Sequence, residues 1–318
     1  MSKRIRLFFV TDVHGSEKCF RKFVNAAKFY EAQVLILGGD ITGKMVIPIV
    51  DQSNGTYNCR FLGNELVIKS KEDLDTTVKN IRDAGFYPYM SNQQEVVELQ
   101  ANKAKLDALF ERLMVESVDS WVKLAHERLS GTDVKCYISP GNDDILAIDS
   151  HLTNTGVVFN PERKVVQIDE THEMITLGYT NHTPWNSPRE VDEDQLEVML
   201  EEMCGQIHDM KNSIFNIHCP PIQTIIDQAP ALDSTLKPIV RGGQLQMTAA
   251  GSSATRKVLE KYQPLVGIHG HIHESKGVTK IGKTSCFNPG SEYTEGILRG
   301  LVIDLEDRKI KNYTFTAG

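Results

Sequence analysis

Hydrophobic and polar positions near the start of the chain follow two alternating periods. Ile5 to Val10 is a short apolar run of the kind that forms a buried strand, and between Ser16 and Glu31 the residues Phe20, Phe23, Val24 and Ala27 recur at helical spacing on one face. Val34 to Leu37 is again a buried strand. Strand, helix and strand in this order predict a βαβ unit with a parallel pair of strands.

From Lys44 to about Asp133 the rhythm changes. Met45 to Val50, Thr56 to Leu62 and Glu65 to Ile68 read as short strands, with Asn54-Gly55 marking a hairpin turn. Glu72 to Ala84 and Gln94 to Leu129 read as helices, the second with Leu106, Leu109, Phe110, Leu113, Trp121, Leu124 and Ala125 on an apolar stripe. That stripe is expected to be core. We expect residues 44–133 to be an insertion within a single domain spanning 1–318.

Strands resume at Lys135 to Ser139, Lys164 to Ile168, Met174 to Tyr179, Ile214 to Ile217, Leu265 to Ile268, Thr284 to Phe287 and Leu301 to Leu305. Helices are expected at Asp192 to Lys211 and Ser252 to Tyr262. Strands that alternate with helices and then crowd together at the end predict an α/β fold with one sheet packed on another.

Composition narrows the function. The 318 residues carry 42 Asp and Glu against 35 Lys and Arg, a formal charge of -7. That balance disfavours a protein that grips nucleic acid by neutralising phosphates. No apolar run near Met1 is long enough for a signal peptide or a membrane span, and the 6 cysteines lack any C-x-x-C pairing, so buried thiols and a cytoplasmic location are expected.

The chemistry lies where the predicted strands end. The first runs into Asp12-Val13-His14-Gly15, the second into Gly38-Gly39-Asp40, and a third into Gly141-Asn142-Asp143-Asp144. A fourth runs into His218-Cys219-Pro220-Pro221 and a fifth into His269-Gly270-His271-Ile272-His273. In an α/β sheet the functional crevice lies at the carboxyl ends of the strands, so these distant residues converge. Asp12, His14, Asp40, Asn142, His218, His271 and His273 form a mixed oxygen and imidazole set about twice as large as one zinc requires, which points to two metal ions. Manganese, iron, zinc or cobalt suits such ligands. His269 shares a face with His271 and His273 if that segment is extended. Gly38 to Met45 approaches a P-loop spacing, but Met45 cannot ligate magnesium as Ser or Thr would, so a nucleoside triphosphatase is rejected.

The succession D-V-H-G, G-G-D, G-N-D-D, H-C-P-P and G-H-I-H resembles the blocks of the calcineurin-like metallophosphoesterase superfamily, within it the bacterial and archaeal subgroup related to cyclic-nucleotide phosphodiesterases. The resemblance implies a four-layer αββα sandwich of two mixed sheets. It also implies one metal on Asp12, His14, Asp40 and His273 and a second on Asp40, Asn142, His218 and His271. The activity implied is hydrolysis of a phosphomonoester or phosphodiester, a nucleotide or cyclic nucleotide among them, by a hydroxide bridging the two ions.

One block departs from the pattern. Asp143 stands where the superfamily has the histidine that contacts phosphate and serves as proton donor, and a carboxylate beside two cations stays ionised and repels phosphate. Asn142 and Asp143 are nonetheless the candidate catalytic residues, and Asn142, His182, Arg189 and Arg241 the candidate substrate contacts. The departure keeps a second reading open, a metal-stabilised scaffold that binds a protein partner. An exonuclease of the same superfamily is a third.

Overall fold

In the computed structural model, which describes residues 4–152 and 156–318, the chain opens with β1 (Ile5–Val10), α1 (Glu17–Phe29) and β2 (Val34–Gly38). The two strands pair in parallel, with Leu7 opposite Val34 and Val10 opposite Leu37. Ser16 caps α1, its hydroxyl accepting from the Cys19 amide.

There follow β3 (Val46–Asp51), β4 (Tyr57–Phe61), β5 (Asn64–Ile68), α2 (Lys71–Asp83), β6 (Tyr87–Asn92), α3 (Gln93–Ala101) and α4 (Lys103–Leu129). The four strands form a separate sheet in the order β5-β4-β3-β6 over a small core that includes Ile47, Ile49, Cys59, Ile68 and Ile81. The single helix expected over Gln94 to Leu129 is two. Asn102 leaves the helical region at φ −129° and ψ 92°, and its side chain accepts from the Lys105 amide, capping α4. The later turns of α4 bury Met114, Val118, Trp121, Val122 and Ala125 in the same core as α1, where the Trp121 ring stacks on Phe20 with centroids 4.2 Å apart.

The remainder contains β7 (Lys135–Ser139), β8 (Val158–Phe159), β9 (Val165–Gln167), β10 (Glu173–Leu177), α5 (Glu193–Cys204) and β11 (Ser213–Ile217). One nested excursion comes next, in which β12 (Gln228–Pro230) pairs with β15 (Met247–Ala249) around a hairpin of β13 (Val240–Arg241) and β14 (Gln244–Leu245). The chain then forms α6 (Ser253–Tyr262), β16 (Val266–Ile268), β17 (Gly277–Ile281), β18 (Thr284–Asn288), β19 (Arg299–Glu306) and β20 (Lys309–Ala317). Helix α5 stops at Cys204, short of the expected Lys211; Gly205 still donates to the Glu201 carbonyl, and a single tight turn at Met210–Asn212 then leads into β11.

Two six-stranded mixed sheets result, ordered β20-β19-β1-β2-β7-β8 and β17-β18-β16-β11-β10-β9. The alternation along each strand sorts the layers. Leu7, Phe9 and Ile36 of one sheet meet Ile214, Ile268 and Phe287 of the other, whereas Phe8, Val10, Leu35 and Leu37 point outward to α1 and α4. On the far side Ile175, Leu177, Phe215 and Ile217 pack under residues of α5 and α6. This is the α, β, β, α layering. Each such side chain, nearly all with no exposed surface, contributes roughly 1.5–3 kcal/mol by burial.

Candidate metal centre

The strands β1, β2 and β7 run parallel in one sheet, as do β10, β11, β16 and β18 in the other, so their carboxyl ends share one edge of the sandwich. The residues that follow those ends meet there. Three groups of side chains have donor atoms close enough to share an ion: Asp12, His14 and His273; Asp40, His218 and His271; His14, Asp40 and Asp143.

The distances are those of ligands converging on common points. His273 Nε2 lies 3.4 Å from Asp12 Oδ1 and 3.1 Å from His14 Nε2, and His14 Nε2 lies 3.6 Å from Asp40 Oδ2. His218 Nε2 is 3.4 Å from Asp40 Oδ1 and 3.7 Å from Asp12 Oδ1. His271 Nδ1 is 2.8 Å from Asn142 Oδ1. Asp40 is the carboxylate common to two of the groups.

The backbone is shaped to bring these groups in. Asp12, His14, Asp40 and His271 have φ of 54°, 38°, 50° and 67°, left-handed values that cost a non-glycine residue of order 1–3 kcal/mol each and that cluster at functional sites. Two glycines leave space for the side chains. A Cβ on Gly39, whose φ is 122°, would lie 2.3 Å from His218 Nδ1, and one on Gly270 would lie 2.1 Å from Thr11 Oγ1 and 2.4 Å from Asp12 Oδ2.

Hydrogen bonds hold several ligands from behind. His218 Nδ1 lies 3.0 Å from the Gly38 carbonyl, which leaves Nε2 facing the carboxylates. Asp12 accepts from the Thr11 hydroxyl at 2.7 Å and from the His271 amide. Asp144 is fully buried, and its carboxylate accepts from the amides of Ile41 at 2.9 Å, Thr42 at 2.8 Å and Gly141 at 2.8 Å, tying the Asp40 turn to the Asn142 turn. Burial and the Asp40 charge push Asp144 up to about 6.

These residues fit divalent ions. His218 Nε2 is a buried nitrogen that finds no hydrogen-bond partner among the described residues, a costly arrangement that a metal bond relieves. Burial opposes a charge on His218, yet Asp40 and Asp12 push its imidazole up to about 10, and a field that favours a proton there favours a cation equally. Burial holds His271 down to about 4 and His14 well below its ordinary value, keeping both as neutral donors.

His269 separates from its two neighbours. It is fully buried, with Nδ1 2.7 Å from the Ile217 carbonyl, and belongs to none of the three groups. Asn142 donates to Ser187 Oγ at 2.7 Å while its carbonyl oxygen faces His271. Asp143 is partly exposed and sits at the rim, its Oδ2 4.0 Å from His14 Nδ1.

Of the expected substrate contacts, Asn142 lies in the centre and the other three are not drawn to it. Arg189 is 1% exposed, and its guanidinium is taken up by the Asp144 and Ile145 carbonyls at 2.9 and 3.1 Å and by the Asp149 carboxylate, so it braces the Asp144 turn and has no free face for phosphate. His182 lies against Glu190 and Asp192 in an exposed loop, and Arg241 stands exposed in the β13–β14 hairpin. Two residues at the site escape the sequence reading. Tyr293 packs its ring against His14, centroids 4.8 Å apart, and Lys44 Nζ lies 2.9 Å from Asp143 Oδ2. Burial works against the Lys44 ammonium, but Asp143 and Asp40 raise its pKa overall. The sequence signals for Lys44 are its place four residues after Asp40 and at the lysine position of the near-P-loop stretch Gly38 to Met45.

No known protein-family model matches the chain. Over 152 residues it is 29% identical to the uncharacterized protein MJ1162 of Methanocaldococcus jannaschii, a stretch that spans 61% of that protein and 47% of this chain. Among solved structures, TT1561 of Thermus thermophilus aligns over 99% of both chains with a TM-score of 0.52 at 12% identity. A further crystal structure aligns over 99% of both chains at 0.58 with 15% identity. An archaeal phosphodiesterase aligns more loosely, at 0.39 and 12% identity over 99% of this chain and 100% of its own. The alignment of the first two structures over nearly the whole chain shows a shared layered fold. Among the described residues no helix is long and apolar enough to cross a membrane.

Proposed function

We propose that this protein is a dinuclear metal-dependent phosphoesterase acting on a small phosphomonoester or phosphodiester, with nucleotides and cyclic nucleotides among the candidates. The observation that carries the reading is the meeting of two donor groups, Asp12-His14-His273 and Asp40-His218-His271, at one sheet edge, with His14 and Asp40 also joined in a third. Asp12, His14, Asp40 and His273 would hold one ion, and Asp40, Asn142, His218 and His271 the other. Manganese, iron, zinc or cobalt would each suit them. When bound, such a pair supplies a water-derived nucleophile at neutral pH and absorbs charge on the phosphoryl oxygens.

The chain's own groups then orient the reaction. Asp40 links the two donor sets, and Asn142 is fixed by Ser187 on its amide side. Asp143 at the rim does not serve as a proton donor, because it is paired with Lys44 and faces two cation sites. We read the whole chain as one domain, with residues 44–133 as an insertion that reaches the site at Lys44 and returns to the main core through α4.

The test is hydrolysis of aryl phosphomonoesters and aryl phosphodiesters by chelator-stripped protein, with and without added manganese. Metal-dependent turnover of either supports the reading. Its absence with both substrates favours the scaffold, whose partner surface would be sought at the exposed apolar residues of the 228–249 excursion, Leu236, Val240, Leu245 and Met247. Cleavage that extends to single-stranded DNA favours the exonuclease.

A further inference from the structure

An anionic phosphoester reaching the site must approach three carboxylates, Asp12, Asp40 and Asp143. Among the described residues, Lys44 is the lysine or arginine whose side chain pairs with any of them, through Nζ at 2.9 Å from Asp143 Oδ2.

Lys44 is held in place by its backbone. The Gly43 amide donates to Tyr87 Oη at 2.8 Å, and Asp144 accepts from Ile41 and Thr42 just upstream. Gly43 itself lies in a slot where a Cβ would come within 2.3 Å of the Gly85 carbonyl. Asp143 is fixed as well. Its amide donates to Asp40 Oδ1 at 3.0 Å, and its carboxylate accepts from Asn142 Nδ2 at 3.1 Å. The lysine head is nevertheless open to solvent, its side chain 44% exposed. Asp143 occupies part of the ammonium and leaves the remaining N–H groups for a ligand.

We propose that Lys44 is a substrate-binding residue, its ammonium aimed by Asp143 to hold a non-bridging phosphoryl oxygen at the rim of the metal centre. This rests on the phosphoesterase reading above. Asp143 is the positioning residue, and the ammonium offsets one of the three carboxylates that an anionic substrate meets. Because the backbone from Ile41 to Lys44 is fixed before substrate arrives, little ordering cost falls on binding.

The experiment uses the full chain loaded with manganese, as wild type and as K44M and K44R. Metal content is measured by elemental analysis, inorganic phosphate affinity by calorimetry, and kcat and KM with an aryl phosphoester. K44M is expected to keep the wild-type metal content and melting temperature while binding phosphate about 10- to 100-fold more weakly, the loss of one charge-assisted hydrogen bond. KM should rise more than kcat falls, and K44R should recover most of the phosphate affinity. Should K44M fail to fold, K44Q takes its place. A variant without the ammonium that retains its metals and binds phosphate as wild type does overturns the proposal and leaves the phosphoesterase reading standing. Wild type that takes up no manganese and hydrolyses neither aryl ester overturns both.

Discussion

His14 and His273, 259 positions apart in the chain, face each other Nε2 to Nε2 at 3.1 Å. Two imidazole nitrogens at this distance need either a shared proton or a common cation. Because the Asp12 carboxylate lies 3.4 Å from His273 as well, the cation is the arrangement that satisfies all three donors. His14→Ala is therefore expected to lose one of the two ions while retaining the other, which elemental analysis after dialysis would show. Retention of both ions would remove His14 from the centre.

Asp40 serves two donor groups, so its substitution should act on both. Asp40→Asn keeps the shape and removes the charge. Activity on aryl esters should fall by more than about 100-fold and metal occupancy should drop with it. An Asp40→Asn protein with full metal content and rate would refute the assignment of the centre.

Leaving-group preference should follow from Asp143. With a carboxylate and a lysine at the rim and no imidazole there to donate a proton, aryl phosphoesters are expected to turn over faster than alkyl ones. Asp143→His should raise the alkyl rate relative to the aryl rate, measured as a ratio of kcat/KM values. Equal rates on both classes in wild type, unchanged by the substitution, would contradict this.

Asp144 should matter for stability as well as for activity. Asp144→Ala would strand the buried amides of Ile41, Thr42 and Gly141, each at a cost of about 1–3 kcal/mol, and chemical denaturation should show a loss of roughly 3 kcal/mol or more. A change below about 1 kcal/mol would mean that water replaces the carboxylate with little penalty.

Acid stability offers a test away from the centre. Asp304 on β19 is 2% exposed; burial works against its charge, but hydrogen bonds from Arg6 and Arg4 hold its pKa below the ordinary carboxylate value. Its contribution is thus present above the unfolded pKa of about 3.9 and is lost as pH falls below that value. Because both arginines are partly exposed, only about 0.2–1 kcal/mol is expected. Asp304→Asn should lower the melting temperature at pH 7, and the gap to wild type should close as pH falls through the lowered folded-state pKa of Asp304.

Much of the centre is legible in the sequence because each ligand interrupts an apolar run that has no other reason to stop. Asp12, Asp40, Asn142, His218 and His271 all follow buried strands, and their neighbouring glycines signal sharp turns. Strands without that contrast are harder to see. In β6, Pro88 and Ser91 break the apolar pattern, and β20 is polar along much of its exposed length, so the expected strands end at Leu305. Lys44 and Tyr293 illustrate a different limit. Each is ordinary in its local context, and only the tertiary fold places one beside Asp143 and the other against His14. Arg189 shows the reverse, a residue that suggests phosphate binding and whose buried guanidinium instead bonds within the turn it supports.

The order of the ligands along the chain also has a consequence for assembly. Asp12 and Asp40 are made more than two hundred residues before His271 and His273. A nascent chain exposes acidic turns well before it can enclose an ion between them. If the centre holds metal as proposed, loading would come only after β16 has joined β11, and scarcity of metal would be felt by a nearly finished sandwich.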